Sequence, residues 1–184
     1  MQRTGALDLL HQKIKTVNLI KHSLAVEAGM RALAQYFHEN EDDWGLAGLL
    51  HDIDYEDTKD NPQEHSLKGA EFLKSLGLAD DITEAIKTHN QAHGIKPETT
   101  MAKSLFCIDP LTGLIVAATL VLPSKKIHDL TVENILNRMK EKSFAQGANR
   151  ETIKQCETLL NLPLEQFCSL VLKGMQNISQ ELGL

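Results

Sequence analysis

Helical periodicity along the whole chain is the feature that most restricts its possible folds. Apolar residues recur with the period of a helix face, and no segment alternates apolar and polar residues as a half-buried strand does. Aromatic residues make up only 4% of the chain, so the core must consist mainly of Leu, Ile, Ala and Val. The sequence therefore predicts an all-α fold, a single compact bundle of roughly eight to ten helices.

Capping residues and prolines set the expected boundaries of these helices. Asp42 and Asp43 are expected to cap and begin one helix, and Gly77 to end another. Residues 54–62 and 90–97 are expected to form loops. The predicted helices cover residues 7–17, 22–38, 42–51, 62–76, 80–89, 100–122, 131–142, 149–160 and 163–182.

Charge and cysteine usage exclude several classes of protein. The net charge is −6 and the lysines are scattered among acidic residues, so nucleic acid is not expected as the main partner. The longest apolar run, residues 111–122, is too short to span a bilayer, so no membrane partner is expected. The three cysteines show no CxxC spacing and lie in apolar surroundings. They indicate reduced core thiols and a cytoplasmic protein.

His51 and Asp52 are adjacent polar residues directly after the apolar run Leu46–Leu50. Burying a carboxylate and an imidazole without partners costs several kcal/mol. A hydrogen-bond partner, a counter-charge or a metal is therefore expected beside this pair.

Three further histidines lie on core-facing helix stripes near predicted helix ends: His22, His65 and His89. A single histidine on an apolar face is usually a satisfied core residue, but three together with a His-Asp pair favour a functional cluster. The other histidines differ, because His38, His93 and His128 are expected to be solvated in or beside polar loops and His11 has no acidic neighbour in sequence.

Asp109 interrupts the most apolar stretch of the chain and precedes Pro110. Two structures are open here. Asp109 caps a new helix with proline at its first position, or the helix continues and Pro110 removes the bond to the carbonyl of Phe106. Either structure allows the carboxylate to point inward as a ligand.

The order His22, His51-Asp52, Asp109 resembles that of the HD-domain superfamily of metal-dependent phosphohydrolases. The segments Leu49–Ile53 and Asp109–Leu114 are similar to the family's signature helix end and its final segment. The resemblance covers about residues 20–122. It implies one domain over residues 1–184 with an HD core there and a C-terminal helical extension over about 123–184.

His65 and His89 resemble the two extra histidines of HD proteins that bind a second metal, such as the HD-GYP phosphodiesterases. The chain lacks the GYP motif and has Asn90 in place of the second His of the usual HHE. Tyr55 also occupies a position where relatives often place Lys or Glu.

The resemblance implies a phosphate-ester hydrolase that acts on a nucleotide or similar small molecule. One or two divalent ions are expected (Fe, Mn, Zn, Ni or Co), with Asp52 as the bridging catalytic carboxylate. Tyr55 and Lys68 are weaker candidates for phosphate contact. The implied metal ligands are His22, His51, Asp52, His65, His89 and Asp109.

Two alternatives share the same residues. The ligand order also occurs in HD-type di-iron oxygenases, and an HD module can bind a nucleotide or a partner protein without catalysis. The complete ligand set favours an enzyme, and the lack of residues similar to the oxygenases' substrate contacts favours hydrolysis. The sequence indicates neither the substrate nor the oligomeric state.

Overall fold

The computed structural model describes residues 1–184 and contains α-helices, two short 3-10 turns and no strand. The predicted all-α bundle is confirmed. The helices are α1 (Arg3–Lys13), α2 (Val17–Phe37), α3 (Glu41–Leu50), α4 (Tyr55–Thr58), α5 (Leu67–Ser75), α6 (Asp80–Thr88), α7 (Thr100–Leu120), α8 (Val132–Lys140), α9 (Arg150–Lys154), α10 (Cys156–Leu159), α11 (Leu164–Asn177) and α12 (Ser179–Leu182).

Helix α2 lies at the centre of the bundle and packs against α3, α7 and α11. Two glycines allow its neighbours to come close. A Cβ atom on Gly48 of α3 would lie 2.9 Å from the Cα of Glu27, and one on Gly174 of α11 would lie 2.5 Å from the carbonyl oxygen of Ala28. Side chains larger than hydrogen are excluded there, so the backbone of α2 is held from two sides. This helix also contains His22.

Helix α7 runs without interruption through Pro110. The interpretation of Asp109 as a helix cap is therefore wrong, and the continuing helix is correct. By length and composition α7 is apolar enough to cross a membrane, but 67% of its most apolar 18-residue window is buried inside the protein. The core helix of a globular protein can be equally long and apolar, and most of α7 lies in the core of this bundle.

The boundary between the first two helices differs from the prediction. Helix α1 ends at Lys13 and α2 begins at Val17, whereas one helix was expected over residues 7–17. The Glu56 carboxylate accepts hydrogen bonds from the backbone N–H groups of Lys15 (2.9 Å) and Thr16 (2.7 Å). In a continuing helix these N–H groups would donate to backbone carbonyls of the preceding turn. The Glu56 carboxylate replaces those acceptors, so the helix can end and the chain can turn there.

Two predicted helix starts are also wrong. Asn40, and not Asp42 or Asp43, caps α3, because its side-chain oxygen accepts from both following N–H groups (2.9 and 3.2 Å). Helix α5 starts at Leu67 rather than near Pro62, after Ser66, which is buried with a φ of 70°.

Several predicted segments are interrupted or contain short turns. The segments 149–160 and 163–182 each form two helices, separated at Gln155 and Ile178. The expected loops contain α4 and a 3-10 turn over Gln91–His93. The glycine at position 77 ends α5 as predicted, with a φ of 81° and a bond from the N–H of Leu78 to the carbonyl of Leu73.

Candidate metal centre

The His51 side chain is completely buried at the C-terminal end of α3. Its Nδ1 lies 2.8 Å from the carbonyl oxygen of Gly48. A carbonyl only accepts hydrogen bonds, so Nδ1 must carry the proton in this contact. In the neutral ring, the lone pair is then on Nε2, which faces the centre of the bundle.

His89 and His65 have the same orientation. Nδ1 of His89 donates to the carbonyl of Ile86 at 2.6 Å, and Nδ1 of His65 donates to the buried carboxylate of Asp54 at 2.9 Å. Such contacts fix which ring nitrogen is available to a ligand. Both Nε2 atoms point toward the side chain of Asp52.

His22 completes the set from the first half of α2. Its Nδ1 lies 3.3 Å from the Thr112 hydroxyl, which donates its own hydrogen to the carbonyl of Asp109 (3.0 Å). The hydroxyl therefore accepts from Nδ1–H of His22. Four imidazoles thus turn their Nε2 atoms toward one region.

Asp52 lies between two pairs of histidines. Its Oδ1 is 3.2 Å from Nε2 of His65 and 3.5 Å from Nε2 of His89. Its Oδ2 is 3.3 Å from Nε2 of His51 and 3.7 Å from Nε2 of His22. One oxygen therefore faces each pair, which is the arrangement expected of a bridging carboxylate.

Asp109 closes the His22 and His51 side of the centre. Its Oδ1 lies 2.9 Å from Nε2 of His22 and 3.7 Å from Nε2 of His51. The unbroken α7 places this carboxylate opposite α2 and α3.

The charged side chains of the centre shift one another's pKa values. Burial alone would raise the carboxyl pKa of Asp52, but the imidazoles around it hold that pKa well below its usual range. Burial likewise lowers the pKa of a histidine, yet the carboxylates of Asp52 and Asp109 raise that of His51 well above its ordinary value. Despite its burial, contacts with Asp52 and Asp54 raise the pKa of His65 to about 9. The centre therefore favours positive charge.

The donor chemistry fits a metal ion. The Nε2 atoms of His22 and His51 lie 3.2 Å apart, and in the neutral rings both are acceptors. Acceptors facing acceptors and carboxylates require a cation between them, a proton or a metal ion. Imidazole and carboxylate donors without thiolate suit divalent transition metals. Two overlapping groups have donor atoms within 4.8 Å of one another: His22, His51 and Asp109, and His51, Asp52 and His89.

The two weaker candidates lie at the edge of the site. Tyr55 is 38% exposed and its ring packs edge-on against that of His65, with ring centroids 5.3 Å apart. Lys68 is paired with Glu64, and its side chain is 56% exposed. Their contact with phosphate stays a prediction.

Two supporting residues were missed by the sequence analysis, Asp54 and Thr112. Both lie within three residues of a predicted ligand, but their histidine partners are distant in sequence. The expectation for His93 was wrong, since it is half-buried and its Nε2 lies 2.6 Å from the carbonyl of His65 and 3.1 Å from the Ser66 hydroxyl. His11, His38 and His128 are exposed.

A cleft opens from this centre toward the segment between α8 and α9. It consists of two adjoining cavities of about 280 and 350 Å³ that share Asp109, Pro110 and Gly147. The first is also lined by His65, His89, Asn90, Gln91, Phe106 and Asn149. The second is also lined by His22, Gly113, Ala145, Gln146 and Ala148.

Comparison with known protein families gives one match that includes all of the candidate ligands. The family model described as HD domain matches residues 19–157. The chain belongs to the HD domain family. The match confirms the family resemblance found in the sequence. It also supports binding of a divalent metal by the clustered His and Asp side chains.

Curated relatives agree with this assignment. The HD domain chain is 31% identical over 139 residues to a protein named Ribonuclease Y from Lawsonia intracellularis, covering 74% of this chain and 26% of that protein. Ribonuclease Y from Oleidesulfovibrio alaskensis is also 31% identical over 139 residues, which cover 73% of this chain and 26% of that protein. The chain thus spans about a quarter of the length of these relatives. No solved structure gives a significant match. Family and relatives support a metal-dependent phosphohydrolase in kind, with the substrate left open.

Proposed function

We propose that this HD domain hydrolyses a phosphate ester of a small molecule, with one or two divalent transition-metal ions (Fe, Mn, Zn, Ni or Co) as cofactor. The observation that supports this most directly is the position of Asp52, whose two oxygens face different histidine pairs. A structural ion pair needs one partner, whereas four convergent imidazoles and two carboxylates match the donors of a metal centre.

The chain's own residues have distinct roles in this proposal. His22, His51 and Asp109 would hold one ion, His65 and His89 would hold a second, and Asp52 lies between these two groups of ligands. When bound, divalent ions lower the pKa of water and offset charge on phosphoryl oxygens. The Nδ1 contacts direct each Nε2 atom inward, so a bound ion would replace a proton there, and the cleft beside Asp109 admits the substrate.

The test is a parallel assay of the protein purified without oxygen. Bound metal is quantified, and phosphomonoesters, cyclic nucleotides and oxygen consumption are measured side by side. Phosphate-ester hydrolysis that is lost on chelation and restored by metal supports the proposal. Oxygen consumption without hydrolysis would favour the di-iron oxygenase instead. A metal-loaded protein that binds nucleotide and shows neither reaction would favour a non-catalytic module.

RNA is a second candidate substrate, because the chain is similar to proteins named Ribonuclease Y. A labelled oligoribonucleotide is added to the same assay. Cleavage of that RNA at a rate above that of small phosphate esters would replace the small-molecule proposal. The negative net charge of the chain disfavours RNA, since phosphate binding usually draws on Lys and Arg.

A further inference from the structure

The residues that line the cleft include no lysine and no arginine. Apart from the histidines, the only charged side chain there is Asp109, a proposed metal ligand. The remaining polar side chains are the neutral amides of Asn90, Gln91, Gln146 and Asn149. Beyond the metal centre, the cleft therefore offers hydrogen bonds but no positive charge.

Several cationic side chains around the site are engaged with other groups of the protein. Arg150 begins α9 and donates to the backbone carbonyls of Phe144, Ala145 and Ala148, so its guanidinium holds the wall of the cleft together. Lys87 lies 3.4 Å from Glu84, and Lys68, at the edge of the site, is paired with Glu64. None of these cations is among the lining residues.

The charge of the centre is already largely balanced. The three carboxylates of Asp52, Asp54 and Asp109 exceed the charge of one divalent ion and offset most of the charge of two. A phosphate monoester adds a charge of roughly −1.5 to −2 near neutral pH. A second anionic group on the substrate would then meet no cation among the residues that line the cleft, and its desolvation would be unfavourable.

One amide in the wall is available to a substrate. Gln91 accepts from Nδ2 of Asn149 (3.2 Å) and donates to the Thr152 hydroxyl, and Asn149 caps α9 through the N–H of Glu151 (3.1 Å). These two amides are therefore fixed by the protein. Gln146 is exposed, lines the cavity beside His22 and Asp109, and makes no hydrogen bond within the chain.

We propose that the site takes an ester with one phosphoryl group on an uncharged, hydrogen-bonding body, and that Gln146 contacts that body. This inference depends on the proposed function. It adds that the cleft discriminates against polyphosphates and against substrates with further anionic groups.

Binding of two phosphonates tests the proposal without turnover. Phenylphosphonate and 4-carboxyphenylphosphonate differ by one carboxylate, and neither is hydrolysed. Calorimetric titration of the metal-loaded protein is expected to show at least about fivefold weaker binding of the carboxylated compound. Equal or tighter binding of the carboxylated compound would overturn the proposal, and so would binding of neither compound.

Three variants locate the effect. Gln146→Lys adds a cation to the cleft and is expected to reduce the difference between the two phosphonates to less than about twofold. Gln146→Ala removes the side chain without adding charge, so the two phosphonates are expected to be affected alike and their difference preserved. The exposed Gln180→Lys, which is not among the lining residues, is expected to preserve it as well. If Gln146→Lys leaves the difference unchanged, or Gln180→Lys removes it, the discrimination does not arise in this cleft and the proposal is wrong.

Hydrolysis of phenyl phosphate by the same protein separates this proposal from the proposed function. Loss of discrimination with hydrolysis intact would refute only the inference about charge. Absence of hydrolysis with metal bound and discrimination retained would refute only the phosphohydrolase proposal.

Discussion

Nδ1 of His65 lies 2.9 Å from Oδ1 of Asp54, a carboxylate that is itself buried. The other oxygen of Asp54 accepts from the backbone N–H of Gly69 at 2.8 Å. The carboxylate is thus fixed at the start of α5 and in turn fixes the tautomer and angle of the His65 ring. Asp54 positions a proposed ligand without facing the centre of the site.

Asp54→Asn is expected to weaken metal binding by about 10–100-fold, because the neutral amide makes the imidazole less basic and orients it less firmly. Competition with a chromogenic chelator measures this affinity. The matched control is Asp57→Asn, since Asp57 is exposed and its carboxylate lies 4.0 Å from Lys13. Equal affinity of Asp54→Asn and wild type would exclude a positioning role.

His22→Ala and His89→Ala are expected to affect different ions. If Asp52 bridges two ions, each variant loses about half of the bound metal, because the remaining donors still hold the other ion. Metal per chain is measured by mass spectrometry on gel-filtered protein. His128→Ala, at an exposed position, serves as the control. Full occupancy in both variants would refute the ligand assignment, and an all-or-none loss would indicate a single ion.

Gly48→Ala is expected to lower the free energy of unfolding by about 2 kcal/mol or more, since its Cβ would lie 2.9 Å from backbone atoms of Glu27. The contrasting variant is Gly113→Ala. Gly113 is an exposed position inside α7 with open space around it, so this variant is expected to gain about 0.5–1 kcal/mol.

Urea unfolding of the metal-free protein measures both values. A stable Gly48→Ala would mean that α2 and α3 can move apart. Because the carbonyl of Gly48 also binds Nδ1 of His51, a destabilised Gly48→Ala is expected to hold less metal as well.

The buried thiols give a pH dependence that is separate from the metal centre. Burial raises the pKa values of Cys156 and Cys168 to about 12, and that of Cys107 further. The unfolded thiols ionise near pH 9, while the folded ones stay neutral. The unfolded state therefore releases protons first, and stability falls as the pH rises above about 9.

Replacing Cys107 by Val should reduce this fall by about 1 kcal/mol between pH 9 and pH 10. Urea unfolding at each pH measures it. An unchanged slope, or rapid modification of Cys107 in the native protein by a disulfide reagent at pH 8, would show that Cys107 is accessible to solvent.

Much of the bundle was predictable because helix formation depends on local patterns. The apolar stripe of α2 placed His22 inward correctly, since a helix face is fixed by its period. His89 directly follows α6, and His65 precedes α5, so the predicted helix stripe through His65 was wrong although its side chain does reach the centre. The continuation of α7 through Pro110 was one of two open alternatives. The local sequence does not show whether neighbouring helices can pack against a helix that contains a proline at this position.

The remaining features depend on contacts between distant residues. Glu56 ends α1 from more than forty positions away, and no local signal separates it from other exposed acids. Gln146 enters the cleft only because α8 and α9 bring its loop across Asp109. The cap at Asn40 was predictable from local sequence, since Asn is a preferred N-cap residue. It was missed because Asp42 and Asp43, which follow closely, are also good capping residues.

Arg150 fastens the cleft wall through carbonyl oxygens, so its contacts are indifferent to the side chains of residues 144–148. The proposed metal ligands all precede that segment in the chain. The proposed metal ligands and the proposed selectivity therefore lie in separate segments of the chain. Exchange of residues 144–148 is therefore expected to change the proposed selectivity while metal binding is kept.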